Sequence, residues 1–128
     1  MFLGIDLGLG GVKATVVTGE GHVVAEASYP VQTSTPLPGR AEQNPAEWEA
    51  AMKVALDSLG EQTALRTLDG ISFSAGTHST VLLGGNGEVL RPAILWADQR
   101  AGAEAAELNA RMQDRLIAPG PGRTSCAG

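Results

Sequence analysis

Three β-rich segments, residues 2 to 8, 11 to 18 and 22 to 31, are separated by the turns Gly8-Leu9-Gly10-Gly11 and Gly19-Glu20-Gly21. Turns this short and glycine-rich join antiparallel neighbours, so the chain is expected to open with a three-stranded meander. In the second segment Val12, Ala14 and Val16 fall on one face and Lys13, Thr15 and Val17 on the other. Lys13 then stands beside the first turn.

The first segment, FLGIDLG, surrounds one carboxylate, Asp6, with apolar residues and runs straight into that turn. A charge buried in a strand is costly unless it is paired, hydrated or bound to a metal. Glycines beside it let backbone amides approach an anion without interference from Cβ atoms. Asp6 is therefore the candidate metal ligand, reaching Mg²⁺ directly or through water. Gly8, Gly10, Gly11 and Lys13 are the candidate phosphate contacts. The competing readings are a carboxylate that caps its own turn and a solvated strand lysine.

The chain has 128 residues, enough for one domain. Its net charge of −5 and its lack of any Lys/Arg cluster argue against a nucleic-acid surface. One cysteine, Cys126, allows neither an internal disulfide nor a thiolate metal site, which fits a reducing, cytoplasmic compartment. No export signal and no membrane-spanning run is read.

Residues 32 to 40, QTSTPLPGR, have turn chemistry and are expected to form a surface loop. Asn44-Pro45-Ala46-Glu47 then gives an N-cap, a first-turn proline and an N3 glutamate. Trp48, Ala51, Met52, Ala55 and Leu59 follow at helical spacing, with Gly60 placed to end the helix. Glu42 to Pro45 is read mainly as the start of that helix and Trp48 as core. Downstream, a strand is predicted over 68 to 73, a hairpin over 80 to 83 and 88 to 90, a strand over 93 to 96, and a helix over 101 to 115. Residues 1 to 116 are expected to be the folded part. Residues 117 to 128 are expected to be a disordered tail, truncated or out of frame.

Two further polar groups sit after predicted strands, where loops carry function. His78 lies with Thr77 and Ser79, and Asp98 lies with Arg100 two residues beyond Trp96. The Asp-Arg couple could hold a polyhydroxylated ligand by bidentate hydrogen bonds or could pair with itself. The chain has no Walker sequence, no paired-His metal motif, no GxSxG elbow and no CxxC.

The stretches GIDLGLGGVKA, AEQNPAEW and VLRPAILWADQR, in this order and spacing, resemble the N-terminal part of the FGGY carbohydrate kinases, nearest to those acting on D-xylulose. The resemblance implies an incomplete α/β domain of the ribonuclease H-like, actin-like ATPase type, a mixed sheet beginning in the meander. It also implies ATP and Mg²⁺ as cofactors, with Asp6 facing the metal and Lys13 the transferred phosphoryl group. Thr77, His78, Asp98 and Arg100 match segments that contact the sugar. The catalytic base is expected in a second domain, which this sequence lacks, so little activity is expected of the chain alone. The full-length form is expected to allow a dimer; neither nucleic acid nor membrane is an expected partner.

Two positions depart from the family pattern. Leu9 and Gly10 stand where threonine and serine are usual, leaving backbone amides as the phosphate donors. Thr77 and Ser79 replace a methionine and a glycine, which loosens the choice of sugar. A non-catalytic actin-like half domain that binds a ligand or protein, and a kinase for another sugar or for a polyol such as glycerol, remain the alternatives.

Overall fold

The computed structural model describes residues 1 to 112. The predicted tail lies outside them. The meander is present as β1 (Phe2–Gly8), β2 (Gly11–Val17) and β3 (Val23–Pro30), with β1 antiparallel to β2 and β2 to β3. A two-residue strand, β4 (Glu42–Gln43), precedes helix α1 (Pro45–Gln62). The chain then returns as β5 (Gly70–Ala75), parallel to β1, giving the sheet order β3-β2-β1-β5. β6 (Ala93–Ile94) pairs with β4, and α2 (Gly102–Met112) follows.

The period-two pattern of the meander decides which side is core. Val12, Ala14 and Val16 of β2 and Leu3 and Ile5 of β1 are buried, as are Ala51, Ala55 and Leu59 of α1. The two alanines face the sheet, where small side chains allow a helix to lie close. α1 starts as its sequence requires: Asn44 is extended and its side chain accepts from the Ala46 N–H at 3.1 Å. Trp48 and Met52 pack only partly against the core.

Asp6 does not lie within a buried apolar run. Leu3 and Ile5 point inward while Phe2, Gly4 and Asp6 point outward, so Asp6 is exposed and hydrated. Alternation along the strand outweighs the apolar character of its neighbours.

Gly60 does not end α1. The helix continues to Gln62, and the Thr63 N–H closes it on the Leu59 carbonyl at 2.9 Å. A helical glycine costs only about 1 kcal/mol relative to alanine. Gln62 adds a tie to β3 by donating to the Glu26 carbonyl at 3.3 Å.

The strand predicted over 68 to 73 is shifted two residues onward, because the Asp69 N–H donates to the Met1 carbonyl and ladder pairing starts at Gly70. The predicted hairpin over 80 to 90 forms no regular strands. One bridge joins Leu83 to Val89, the Glu88 carboxylate folds back onto the Asn86 N–H, and Thr80 pairs instead with Ile94. Only Ala93 and Ile94 of the strand predicted over 93 to 96 are paired.

α1 packs mainly across β2 and β3, leaving β5 at the edge of that face uncovered. Ile71 and Phe73 share a face with Leu3 and Ile5 by register, yet they are 59% and 69% exposed. A groove of about 480 Å³ runs between this edge and α1, lined by Leu7, Trp48, Met52, Phe73, Val81 and Val89.

Candidate functional site

The opposite face of the sheet is polar and open. Strand register sets Ser74, Asp6, Lys13 and Ser28 in one row across all four strands. The next row is Ser72, Gly4, Thr15 and Glu26. Asp6, Lys13, Thr15, Ser72 and Ser74 line a depression of about 250 Å³ there. Lys13 Nζ is 2.8 Å from Glu26 Oε2, so Glu26 is its ion-pair partner although Asp6 lies directly across the ladder. The pair is about half exposed, so it is a weak interaction that an arriving anion could displace.

Asp6 lies two residues before Gly8 on the same strand. A Cβ placed on Gly8 would sit 3.6 Å from Asp6 Oδ2, so the carboxylate reaches the mouth of the β1–β2 turn. Among the described residues no group of three or more His, Cys, Asp or Glu could hold a metal ion. One carboxylate still suits Mg²⁺, which keeps waters and takes phosphate oxygens for much of its shell.

The glycines of the turn are not equivalent. Gly11 has φ of +151°, and a Cβ there would come within 2.2 Å of the Tyr29 carbonyl oxygen, so close packing on β3 excludes any side chain. Gly10 has open space around it. The turn is held from below, with the Gly10 carbonyl accepting from the Val31 N–H at 3.1 Å and the Leu9 carbonyl from Gln43 Nε2 at 2.7 Å.

Thr77 and His78 are exposed in the loop after β5, and His78 has φ of +59°, a left-handed conformation uncommon outside glycine. The loop is fastened to the glycine turn because the Gly76 N–H donates to the Leu7 carbonyl at 3.0 Å. Two of the candidate groups named from the sequence, the turn and this loop, thus lie side by side in the structure.

Asp98 and Arg100 occupy a different environment. The Asp98 side chain is 1% exposed and accepts from Arg100 Nε at 2.7 Å, Arg100 Nη2 at 2.6 Å, the Arg100 N–H at 2.9 Å and the Ala41 N–H at 2.8 Å. Arg100 Nη2 also reaches Glu42 Oε1 at 2.6 Å, and Arg91 reaches the same oxygen at 2.7 Å. The guanidinium of Arg100, aided by the two backbone N–H groups, holds the Asp98 carboxyl far below the usual carboxylate range despite its burial. Arg100 likewise lowers Glu42, and Asp98 and then Glu42 raise Arg100. The mutual pairing weighed in the sequence is thus present, and it consumes the acceptors of Asp98.

Three residues in this region escaped sequence reasoning. Glu42 and Arg91 belong to the ion cluster, and Gln43 is the one polar residue among the described residues that is fully buried. Glu42 and Gln43 were hidden by the helix-start pattern that follows them. No signal in one sequence shows that β4 exists, since its partner lies about fifty residues away.

The profile of the N-terminal domain of the FGGY family of carbohydrate kinases matches residues 1–125. The chain belongs to this family. It is 39% identical over 118 residues to the xylulose kinase of Escherichia coli K12, covering 91% of this chain and 24% of that protein. The crystal structure of a kinase from Brucella ovis, titled a "xyloylose kinase", superposes with a TM-score of 0.83 at 39% identity, over 88% of this chain and 24% of the other. A gluconokinase of Bacillus subtilis is 35% identical over 99 residues, 77% of this chain and 19% of its own. The chain spans about a quarter of the length of the curated relatives it matches first. The mixed sheet and two helices have the actin-like fold of the family's N-terminal domain, in part. Among the described residues, no helix is long and apolar enough to cross a membrane.

Proposed function

We propose that this chain is part of the first domain of a cytoplasmic, ATP-dependent sugar kinase that phosphorylates a ketose such as D-xylulose. The reading is carried by one observation: Asp6 stands exposed at the end of β1, its carboxylate beside Gly8 and its ladder partner the cationic Lys13. Asp6 would hold Mg²⁺ through one carboxylate, and the metal would neutralise phosphate charge. Lys13, Gly8, Gly10 and Gly11 would bind the phosphoryl group, with Lys13 exchanging Glu26 for the anion. Thr77 and His78 would contact the sugar, as would Arg100, held in place by Asp98.

Phosphoryl transfer relies on positioning and electrostatic stabilisation from both sides of a closed cleft. One side supplies too little of either, so the isolated chain is expected to turn over far below the roughly 1 s⁻¹ at which kinases begin. The exposed Ile71 and Phe73 support a domain that works with further structure over β5, and weigh against a free-standing binding module.

A ¹⁵N-labelled chain titrated with Mg²⁺-ATP and then with D-xylulose, gluconate or glycerol tests the reading. Nucleotide should perturb the amides of residues 6 to 13, and the correct sugar those of Thr77, His78 and Arg100. Perturbations confined to other surfaces, or none with any of these ligands, would overturn it. A coupled assay on the same sample that reaches 1 s⁻¹ would overturn the expectation of a silent fragment.

A further inference from the structure

Gln43 is 3% exposed, and each polar atom of its carboxamide is used. Nε2 donates to the Leu9 carbonyl at 2.7 Å and to Thr33 Oγ1 at 3.0 Å, while Oε1 accepts from Trp48 Nε1 at 2.9 Å. One side chain thus joins the glycine turn, the loop after β3 and the first turn of α1. It also helps line a cavity of about 160 Å³ together with Gly8, Leu9, Trp48, Gly76 and Ser79, where the turn meets the loop that carries Thr77 and His78.

The bond to Leu9 has a directional consequence. The Leu9 carbonyl and the Gly10 N–H belong to one planar trans peptide, so they point in opposite directions. Drawing the carbonyl inward to Gln43 turns the Gly10 N–H outward from the exposed turn. Leu9 and Gly10 have no side-chain hydroxyls to offer a phosphate, so the direction of that amide matters more in this chain than it would with serine or threonine there.

We infer that Gln43 is a positioning residue that aims the Gly10 N–H at the phosphate. The inference rests on the phosphate-binding reading of the turn, and the test below separates the two. Gln43→Glu is nearly isosteric: at neutral pH its carboxylate still accepts from Trp48 but can no longer donate to Leu9. Burial next to a carbonyl raises the pKa of the new carboxyl. As pH falls it regains a proton, and with it one donor.

Amide hydrogen exchange at Val31, whose N–H donates to the Gly10 carbonyl, reads how firmly the turn is held, each variant being compared with the wild-type chain at the same pH. At pH 7.5 the Val31 amide of Gln43→Glu should exchange about tenfold faster, because a turn that has lost its anchor holds the Gly10 carbonyl less firmly, and it should approach wild type at pH 5. Val16 and Leu59, in the core, should stay protected at both values. A Val31 rate within about twofold of wild type, or equal loss at Val16 and Leu59, would overturn the inference. Should Gln43→Glu fail to fold, Trp48→Phe decides, since it frees one anchor of Gln43: faster exchange at Val31 with Val16 and Leu59 unchanged supports the role, and unchanged exchange at Val31 removes it. Inorganic phosphate is added to the same samples. A wild-type turn that ignores phosphate sinks the binding reading by itself, whereas the exchange comparison still decides the role of Gln43 in orienting the turn.

Discussion

Around β4 and β6 the four charged side chains Glu42, Arg91, Asp98 and Arg100 are all paired within the chain, whereas along β5 Ile71 and Phe73 stand in solvent. The first region is internally satisfied and behaves as structure. The second has its register and its apolar face ready but lacks a cover, because α1 packs mainly on β2 and β3. The open polar face lies between these extremes, with Asp6 free of protein partners among the described residues and Lys13 weakly engaged. Completed bonding marks what holds the domain, and incomplete bonding marks where other molecules are expected to act.

The contrast breaks most visibly in the covered core. Leu59 is fully buried between α1 and the sheet, so Leu59→Ala should remove about 2–5 kcal/mol of stability, read by urea unfolding. A loss under about 1 kcal/mol would mean that α1 is not firmly seated on the meander.

Next in size is the ion cluster. In Asp98→Asn one carboxylate oxygen becomes an NH₂ facing donors it cannot bond, and the melting temperature should fall by roughly 5–10 °C. The pH dependence has a definite sign. The folded-state values of Asp98 and Glu42 lie below their unfolded ones, so the stability they contribute is complete above the unfolded carboxylate range near pH ~4 and is lost as pH falls below it. The variant should show a shallower acid limb than wild type. Parallel limbs would show that other carboxylates dominate acid unfolding.

How much of this was legible in the sequence follows from the range of the interactions. The meander could be read because alternation and glycine turns act over a few residues, and α1 because its cap and its apolar spacing are local. Asp6 was located correctly in the chain yet placed on the wrong side of the strand, since its apolar neighbours outweighed strict alternation in the reading. Gly60 looked like a stop because glycine often ends helices, but a helical glycine costs only about 1 kcal/mol and the helix runs on to Gln62, which bonds β3. The positions of Gln43 and Arg91 depend on partners brought together from residues 9, 33, 48 and 42, which no short pattern reveals. Candidate site residues were legible where they follow strands. Whether their bonds were free or spent was not.

A smaller effect sharpens the open side of the comparison. Phe73→Ser should change unfolding free energy by no more than about 0.5 kcal/mol, because the ring has little to leave. It should nevertheless reduce concentration-dependent association in light scattering. A large stability loss would show that Phe73 is covered in solution, by a second copy or by another part of the chain.

The smallest stability effect is expected at Lys13, where it separates folding from binding. Its ion pair with Glu26 is about half exposed, and pairs of this kind contribute up to about 1 kcal/mol and are weakened by salt. Lys13→Met keeps the length of the side chain and its fit on β2, so the melting temperature should move by no more than about 2–4 °C. Phosphate affinity should fall several-fold even so, because the removed charge is, among the described residues, the one cation lining the depression beside Asp6. Raising the salt concentration should weaken phosphate binding to the wild-type chain more than to the variant. If affinity and its salt dependence are the same in both, Lys13 is bound to Glu26 for structure alone, and the open face loses its cationic contact.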